Sequence, residues 1–169
     1  MDPNRESDRS RRRVPFLSLA RGVAVVLALA CAVPATRAEN WAISQAPGGP
    51  CLLASVSQPV NDGYQQVQAQ ILVDGRTVVV KTDSVLDGGF SDIGLKVANE
   101  PFVPVDQIRD RKQAVFEKQY GKIVKLFKDG REVEVKLRFW PTWPATGTHS
   151  VSFSLMGFTR AYDEAGRCR

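Results

Sequence analysis

The fold can be read outward from residues 66–82, QVQAQILVDGRTVVVKT. In the first half of this stretch glutamines alternate with four apolar residues, Val67, Ala69, Ile71 and Val73. A period of two is typical of a strand with one buried and one exposed face. Asp74-Gly75 favours a tight hairpin turn, and the β-branched run that ends at Thr82 predicts an antiparallel partner strand.

Further segments show strand patterns, namely residues 40–45, 51–58, 93–97, 133–139 and 151–155. The segment 133–139 is the most regular, because apolar and charged side chains alternate along it. Pro101 and Pro104 bound a loop. Half-polar strands at this spacing suit antiparallel sheets with one solvated face. We therefore predict an all-β fold, an antiparallel β-sandwich with one amphipathic helix; the alternative is an α+β fold, one antiparallel sheet with the helix packed across it.

The helix is indicated by an apolar stripe at helical spacing, formed by Phe116, Tyr120, Ile123, Val124 and Phe127. Asp129-Gly130 ends the helix, and its start is expected between Asp106 and Ala114. Lys118, Lys122 and Lys125 fall on another face. These lysines are a candidate site for an anionic ligand; the alternative is an ordinary solvated helix face.

The first 38 residues have the pattern of an export signal. Six arginines precede an apolar run from Gly22 to Pro34, and small residues at 36 and 38 favour cleavage after Ala38. The run is too short to span a bilayer, which takes about 20 residues. We expect a signal peptide at 1–38, a single β-rich domain at 39–169, and a periplasmic or secreted protein without a transmembrane span. The alternatives are an uncut anchor and a lipoprotein acylated at Cys31.

The basic character of the chain is largely that of this leader. Residues 1–38 contain 7 of the 23 Lys and Arg but only 3 of the 18 Asp and Glu, so the remainder is almost neutral. Nucleic-acid binding is therefore not indicated. Within the remainder, residues 109–138 hold ten basic and five acidic side chains. This local excess is either a solvated face of a helix and a hairpin, which we favour, or a cationic face for an anionic partner from the envelope or a host.

Removal of the leader takes Cys31 with it and leaves Cys51 and Cys168. Two cysteines in an oxidising compartment predict a disulfide between them. The alternative is a pair of buried or reactive thiols.

Catalytic signatures are weak. His149 is the only histidine, and no Gly-x-Ser-x-Gly elbow accompanies it. Asp83, Asp87 and Asp92 cluster near glycines, but they lack the spacing of a calcium loop. No cofactor motif is present, so we expect neither a metal nor a cofactor. A non-enzymatic domain is expected; the alternative is a hydrolase built around His149.

Trp140 and Trp143 alternate with prolines in the segment Trp140-Pro141-Thr142-Trp143-Pro144. They either form an exposed aromatic platform for a sugar or peptide or pin the loop onto the core. We favour the second role.

Three features resemble the invasion-associated locus B family of exported proteobacterial proteins. Trp41 precedes Cys51, a helix leads through Asp129-Gly130 into a strand, and the chain closes with Ser154-Leu155-Met156-Gly157-Phe158 and Ala161. The resemblance implies a β-rich periplasmic or surface protein with a role in the envelope or in host association. Family members carry a further cysteine near residues 44–45, where this chain has Ser44 and Gln45, so the family's disulfide pattern does not transfer.

Overall fold

The structure, a computed structural model, describes residues 40–45, 51–141 and 147–167. The predicted signal peptide at 1–38 and its Cys31 lie outside these residues. The described elements are β1 Trp41–Gln45, β2 Cys51–Ser55, β3 Gln58–Asn61, β4 Gln66–Val73, β5 Val78–Thr82, β6 Gly94–Val97, β7 Val103–Pro104, β8 Gln107–Arg109, β9 Gln113–Phe116, α1 Tyr120–Asp129, β10 Glu132–Leu137, β11 His149–Ser154 and α2 Phe158–Ala165.

The strands form two antiparallel sheets. One has the order β1-β2-β4-β5-β9-β8, with β3 also paired to β4, and the other has the order β11-β10-β6-β7. Both sheets contribute side chains to one hydrophobic core, for example Ile71 and Val80 from the first and Leu95 and Val135 from the second. The predicted antiparallel β-sandwich is confirmed, with two helices where one was expected.

The hairpin of β4 and β5 forms as predicted. The four alternating apolar side chains of β4 are all buried. Asp74 stabilises the turn, because its carboxylate accepts hydrogen bonds from the N–H groups of Arg76 (2.8 Å) and Thr77 (2.7 Å) and from the Thr77 hydroxyl (2.9 Å). Gly75 has a φ of +93°, a left-handed conformation that glycine adopts without steric cost.

The single strand predicted at 51–58 is two strands. Both β2 and β3 pair with β4, at opposite ends of it. The buried Ser55 stands at the break, where its hydroxyl accepts the N–H of Ile71 (2.9 Å) and donates to the carbonyl of Val56 (3.0 Å). The side chain therefore supplies the hydrogen bond that the interrupted ladder lacks.

The predicted helix start between Asp106 and Ala114 is wrong. Residues 107–116 form the hairpin of β8 and β9, and α1 begins at Tyr120. The turn places Asp110 and Arg111 at φ of +51° and +60°, in the left-handed region that residues other than glycine rarely adopt. Neither residue is a glycine, so the sequence does not indicate a turn of this kind. Phe116 consequently lies buried in β9 instead of on the helix.

The remainder of the apolar stripe packs as expected. Ile123, Val124 and Phe127 of α1 are buried, and Tyr120 is half-buried. Phe127 contacts Phe158 of α2 (ring centroids 5.3 Å apart), and Phe158 contacts Trp41 of β1 (4.9 Å). One aromatic residue from each of the three segments that carry the resemblance, Trp41, Phe127 and Phe158, therefore lies in a common cluster and packs in the core.

α2 lies against β1 and β2. The chain thus returns at its C-terminal end to the strand that begins with the half-buried Cys51. Cys168 lies outside the described residues, so its disulfide with Cys51 stays a prediction. No helix in the described part of the chain is long and apolar enough to cross a bilayer.

Candidate functional site

The three lysines of the predicted anionic-ligand face are all exposed, but they are not all on the helix. Lys118 precedes α1, and its backbone N–H is bound by the Asp106 carboxylate (2.8 Å). Lys125 forms an ion pair with Asp129 (2.6 Å), and this hydrogen bond raises the pKa of Lys125. Among the described residues, the one hydrogen-bond partner of the Lys122 ammonium is the neutral side chain of Gln119, at 3.4 Å.

Most cations of the segment 109–138 remain unpaired. Three of the ten form ion pairs, namely Lys125, Lys128 and Arg138. The other seven have no carboxylate of a described residue within ion-pair distance: Arg109, Arg111, Lys112, Lys118, Lys122, Arg131 and Lys136. The fold distributes them over the β8–β9 turn, α1 and the four-stranded sheet.

The Trp140 side chain is 58% exposed, so it does not pin its loop onto the core as we favoured. Its backbone N–H donates to the carbonyl of Val85 (2.8 Å), and the Trp140–Pro141 peptide bond is cis. Trp143 lies outside the described residues, and the two-tryptophan platform stays a prediction.

His149 begins β11 and packs its ring against Phe139, with centroids 5.6 Å apart. Its Nε2 atom is buried and has no hydrogen-bond partner in the described part of the chain. Asp62 is close enough to interact with His149 electrostatically.

Asp62 is itself only 4% exposed. Burial by itself raises the pKa of this carboxyl, but hydrogen bonds from the N–H groups of Gln65 and Tyr64 and from the Ser84 hydroxyl, together with His149, lower it overall.

The aspartates of the 83–92 loop do not converge on a cation site. Asp87 accepts the N–H of Gly89 (3.1 Å) in a turn, and Asp92 is bound by Arg138. Over the described ranges, no three potential ligands lie together.

Asp92 and Arg138 form a two-point ion pair at the end of the four-stranded sheet. Arg138 Nε and Nη2 donate to the two carboxylate oxygens at 2.8–3.0 Å, and the Thr148 hydroxyl donates to the same carboxylate. The hydrogen bonds from Arg138 and Thr148 lower the pKa of Asp92 to about 2. Phe90 covers the guanidinium, 4.2 Å from ring centroid to Cζ.

Beside this pair, the outer face of the four-stranded sheet carries a pocket of about 510 Å³. Its lining consists of Ser91, Asp92, Lys96, Glu100, Pro101, Phe102 and Lys136. Lys96 comes from β6 and Lys136 from the neighbouring β10. Neither lysine forms an ion pair with a described residue.

The pocket wall depends on Gly94 of β6. A Cβ atom at this position would lie 2.5 Å from the ring of Phe102 and 2.3 Å from the carbonyl oxygen of Val103. Glycine therefore lets the Phe102 ring lie against the outer face of the strand. The sequence pattern places Lys136 on a polar strand face, but it contains no signal that Phe102 and Lys96 will lie beside it.

Comparisons of the chain with models of protein families, with curated proteins and with solved structures find no match.

Proposed function

We propose that the chain is an exported, non-enzymatic binding domain of the invasion-associated locus B type, which acts in the periplasm or at the surface on an anionic component of the envelope or of a host. The leader at 1–38 supports export. The binding face is that of Lys118, Lys122 and Lys125, called here the basic face.

One observation carries this proposal: Lys118 and Lys122 are exposed and have no ion-pair partner among the described residues. Lys128, by contrast, is paired with Asp163 at 2.9 Å. Exposed ammonium groups without a paired carboxylate raise the local positive potential, which attracts anions and favours their encounter. Lys125 adds a third cation, partly neutralised by Asp129.

The second candidate is hydrolysis at His149, which the proximity of Asp62 favours. One feature supports binding over hydrolysis. Nε2 of His149 is buried and has no hydrogen-bond partner among the described residues, so no described nucleophile is bound to it. Turnover of 4-nitrophenyl acetate by the purified chain, abolished in both His149→Ala and Ser84→Ala, would establish the enzyme instead.

The test of the basic face uses vesicles and a soluble polyanion. We expect the chain to co-sediment with phosphatidylglycerol vesicles or to bind a sulfated polysaccharide, with an affinity that falls as salt rises, because exposed charges are screened over about 8–10 Å at physiological ionic strength. The triple variant Lys118→Gln, Lys122→Gln, Lys125→Gln is expected to bind more weakly while it unfolds at the same urea concentration.

The matched control is Lys81→Gln, which removes an exposed cation from β5. This variant is expected to bind as the wild type does. Binding that is independent of salt and unchanged in the triple variant would reject the basic face, and so would the absence of binding to both probes.

A further inference from the structure

We propose that the pocket on the outer face of the four-stranded sheet is a second binding site, for a small molecule that joins one anionic group to an aromatic or apolar body. Lys96 and Lys136 hold the anionic group, and Phe102 packs against the body. The proposal does not rest on anion binding at the basic face.

The two lysines are arranged to share one anion. In the register of β6 and β10, Lys136 lies opposite Gly94, and Lys96 lies two residues further along β6 on the same face. Such diagonal positions are about 7–8 Å apart, within reach of two long side chains that turn toward a common group. Glu134 is opposite Lys96, but the two do not reach ion-pair distance, so the ammonium remains available.

The two acidic residues in the lining repel a bound anion less than two free carboxylates would. The charge of Asp92 is balanced by the two-point contact with the Arg138 guanidinium, and the Thr148 hydroxyl donates a further hydrogen bond to the carboxylate. Glu100 is exposed and interacts electrostatically with Lys125 of α1. The pocket therefore presents two free cations against one free carboxylate at its rim.

The apolar wall favours ligands whose anionic group is attached to an aromatic or apolar body. Phe102 is half-buried and seated on Gly94, and Pro101 precedes it. A ring held this way offers its free surface to a ligand without losing rotamer freedom when the ligand binds. The volume of about 510 Å³ is in the range of small-molecule sites.

The test is an NMR titration of the ¹⁵N-labelled chain with four probes: phenyl phosphate, phenylacetate, inorganic phosphate and benzyl alcohol. We expect amide shifts at Gly94, Lys96 and Phe102 with the first two probes. The aromatic anions are expected to bind about tenfold more tightly than inorganic phosphate, because ring packing adds to the charge contact. Comparison of the first two probes tells whether a phosphate or a carboxylate is preferred.

The variants separate the two halves of the site. The double variant Lys96→Gln, Lys136→Gln should lose about tenfold in affinity for both aromatic anions, since charge-assisted hydrogen bonds disappear. Phe102→Leu should remove the preference over inorganic phosphate and leave phosphate binding unchanged. Glu100→Gln should tighten the binding of every charged probe, and this result also tests the site if the double variant fails to fold.

Two controls complete the design. Lys81→Gln and the double variant Lys118→Gln, Lys122→Gln, which keeps Lys125 near Glu100, should both retain the pocket titration. Unchanged affinity in a folded double variant, equal binding of phosphate and phenyl phosphate, or no shift near Gly94 at millimolar probe would overturn the proposal. Failure of the vesicle experiment alone would reject the basic face and leave the pocket intact.

Discussion

Asp92 is the residue for which the structure predicts the clearest dependence of stability on pH. Its pKa is lowered to about 2, chiefly by the hydrogen bonds from Arg138 and then by Thr148, against an ordinary value of 3.8. A carboxyl with a lowered pKa stabilises the fold above its ordinary pKa, and this contribution is lost as pH falls through the folded value. The carboxylate is two-fifths exposed, so solvent reduces the size of the effect.

We therefore expect Asp92→Asn to lower the urea midpoint at pH 6, and the difference from the wild type to shrink as pH falls from about 4 to about 2. Urea unfolding at several pH values measures this. Asp83→Asn is the control, because Asp83 is exposed and its carboxylate has no hydrogen-bond partner among the described residues. Its backbone N–H donates to the carbonyl of Gln68 (3.1 Å), and the substitution leaves that bond in place. A difference that is constant across this pH range would mean that the ion pair contributes nothing.

At the scale of the element, α1 is defined by which face it buries. Ile123 is fully buried and Lys122 is exposed, although they are adjacent in sequence. Ile123→Ala should lower the free energy of unfolding by about 2–5 kcal/mol, since it leaves a cavity. Lys122→Ala should stay within about 0.5 kcal/mol. Chemical unfolding distinguishes them, and equal losses would mean that the buried face is assigned wrongly.

Gly121 weakens the same helix, and the structure does not require a glycine at this position. An added Cβ there meets no atom within 4 Å, and the residue is exposed. Gly121→Ala should raise the free energy of unfolding by about 0.5–1 kcal/mol, because the unfolded chain loses conformational freedom. Gly94→Ala is the contrast, since its Cβ would collide with Val103 and Phe102, and this variant should be destabilised. A loss of stability in Gly121→Ala would show that this position needs glycine.

For the whole molecule, the predicted Cys51–Cys168 disulfide links the ends of the domain. The packing of α2 against β2 brings the chain back toward Cys51, which the bridge requires. In the chain-entropy model a loop this long contributes about 4–5 kcal/mol. Cys51→Ser, Cys168→Ser and the double variant should be destabilised equally, because each breaks the same bond. Peptide mapping without reductant should find the linked pair, and labelling of both thiols in the exported protein would contradict it.

The predicted export of the protein also concerns the whole chain. N-terminal sequencing of the exported protein should begin at Glu39, because Thr36 and Ala38 suit cleavage after Ala38. A start at Met1 would contradict the signal peptide. An acylated Cys31 would establish the lipoprotein instead.

The sequence by itself determined the strands with clear alternation and the buried stripe of α1. In β4, β10 and β11 the period of two belongs to the backbone of a single strand, so it is visible without knowledge of the partner. Ile123 and Phe127 lie one helical turn apart for the same local reason. The turn residue Asp74 is also predictable from the local sequence, because its carboxylate accepts a hydrogen bond from the N–H of Thr77, only three residues further along the chain.

Only the tertiary structure decided the hairpin at 107–116 and the pocket. The hairpin requires left-handed backbone at Asp110 and Arg111, whose cost is offset by pairing of β9 with β5, far away in sequence. The pocket joins Lys96 and Phe102 to Lys136, which the alternation of β10 marks only as a polar strand position. Which polar side chain borders a cavity depends on strand order and register, and these are set by long-range packing of the apolar faces that the two sheets share.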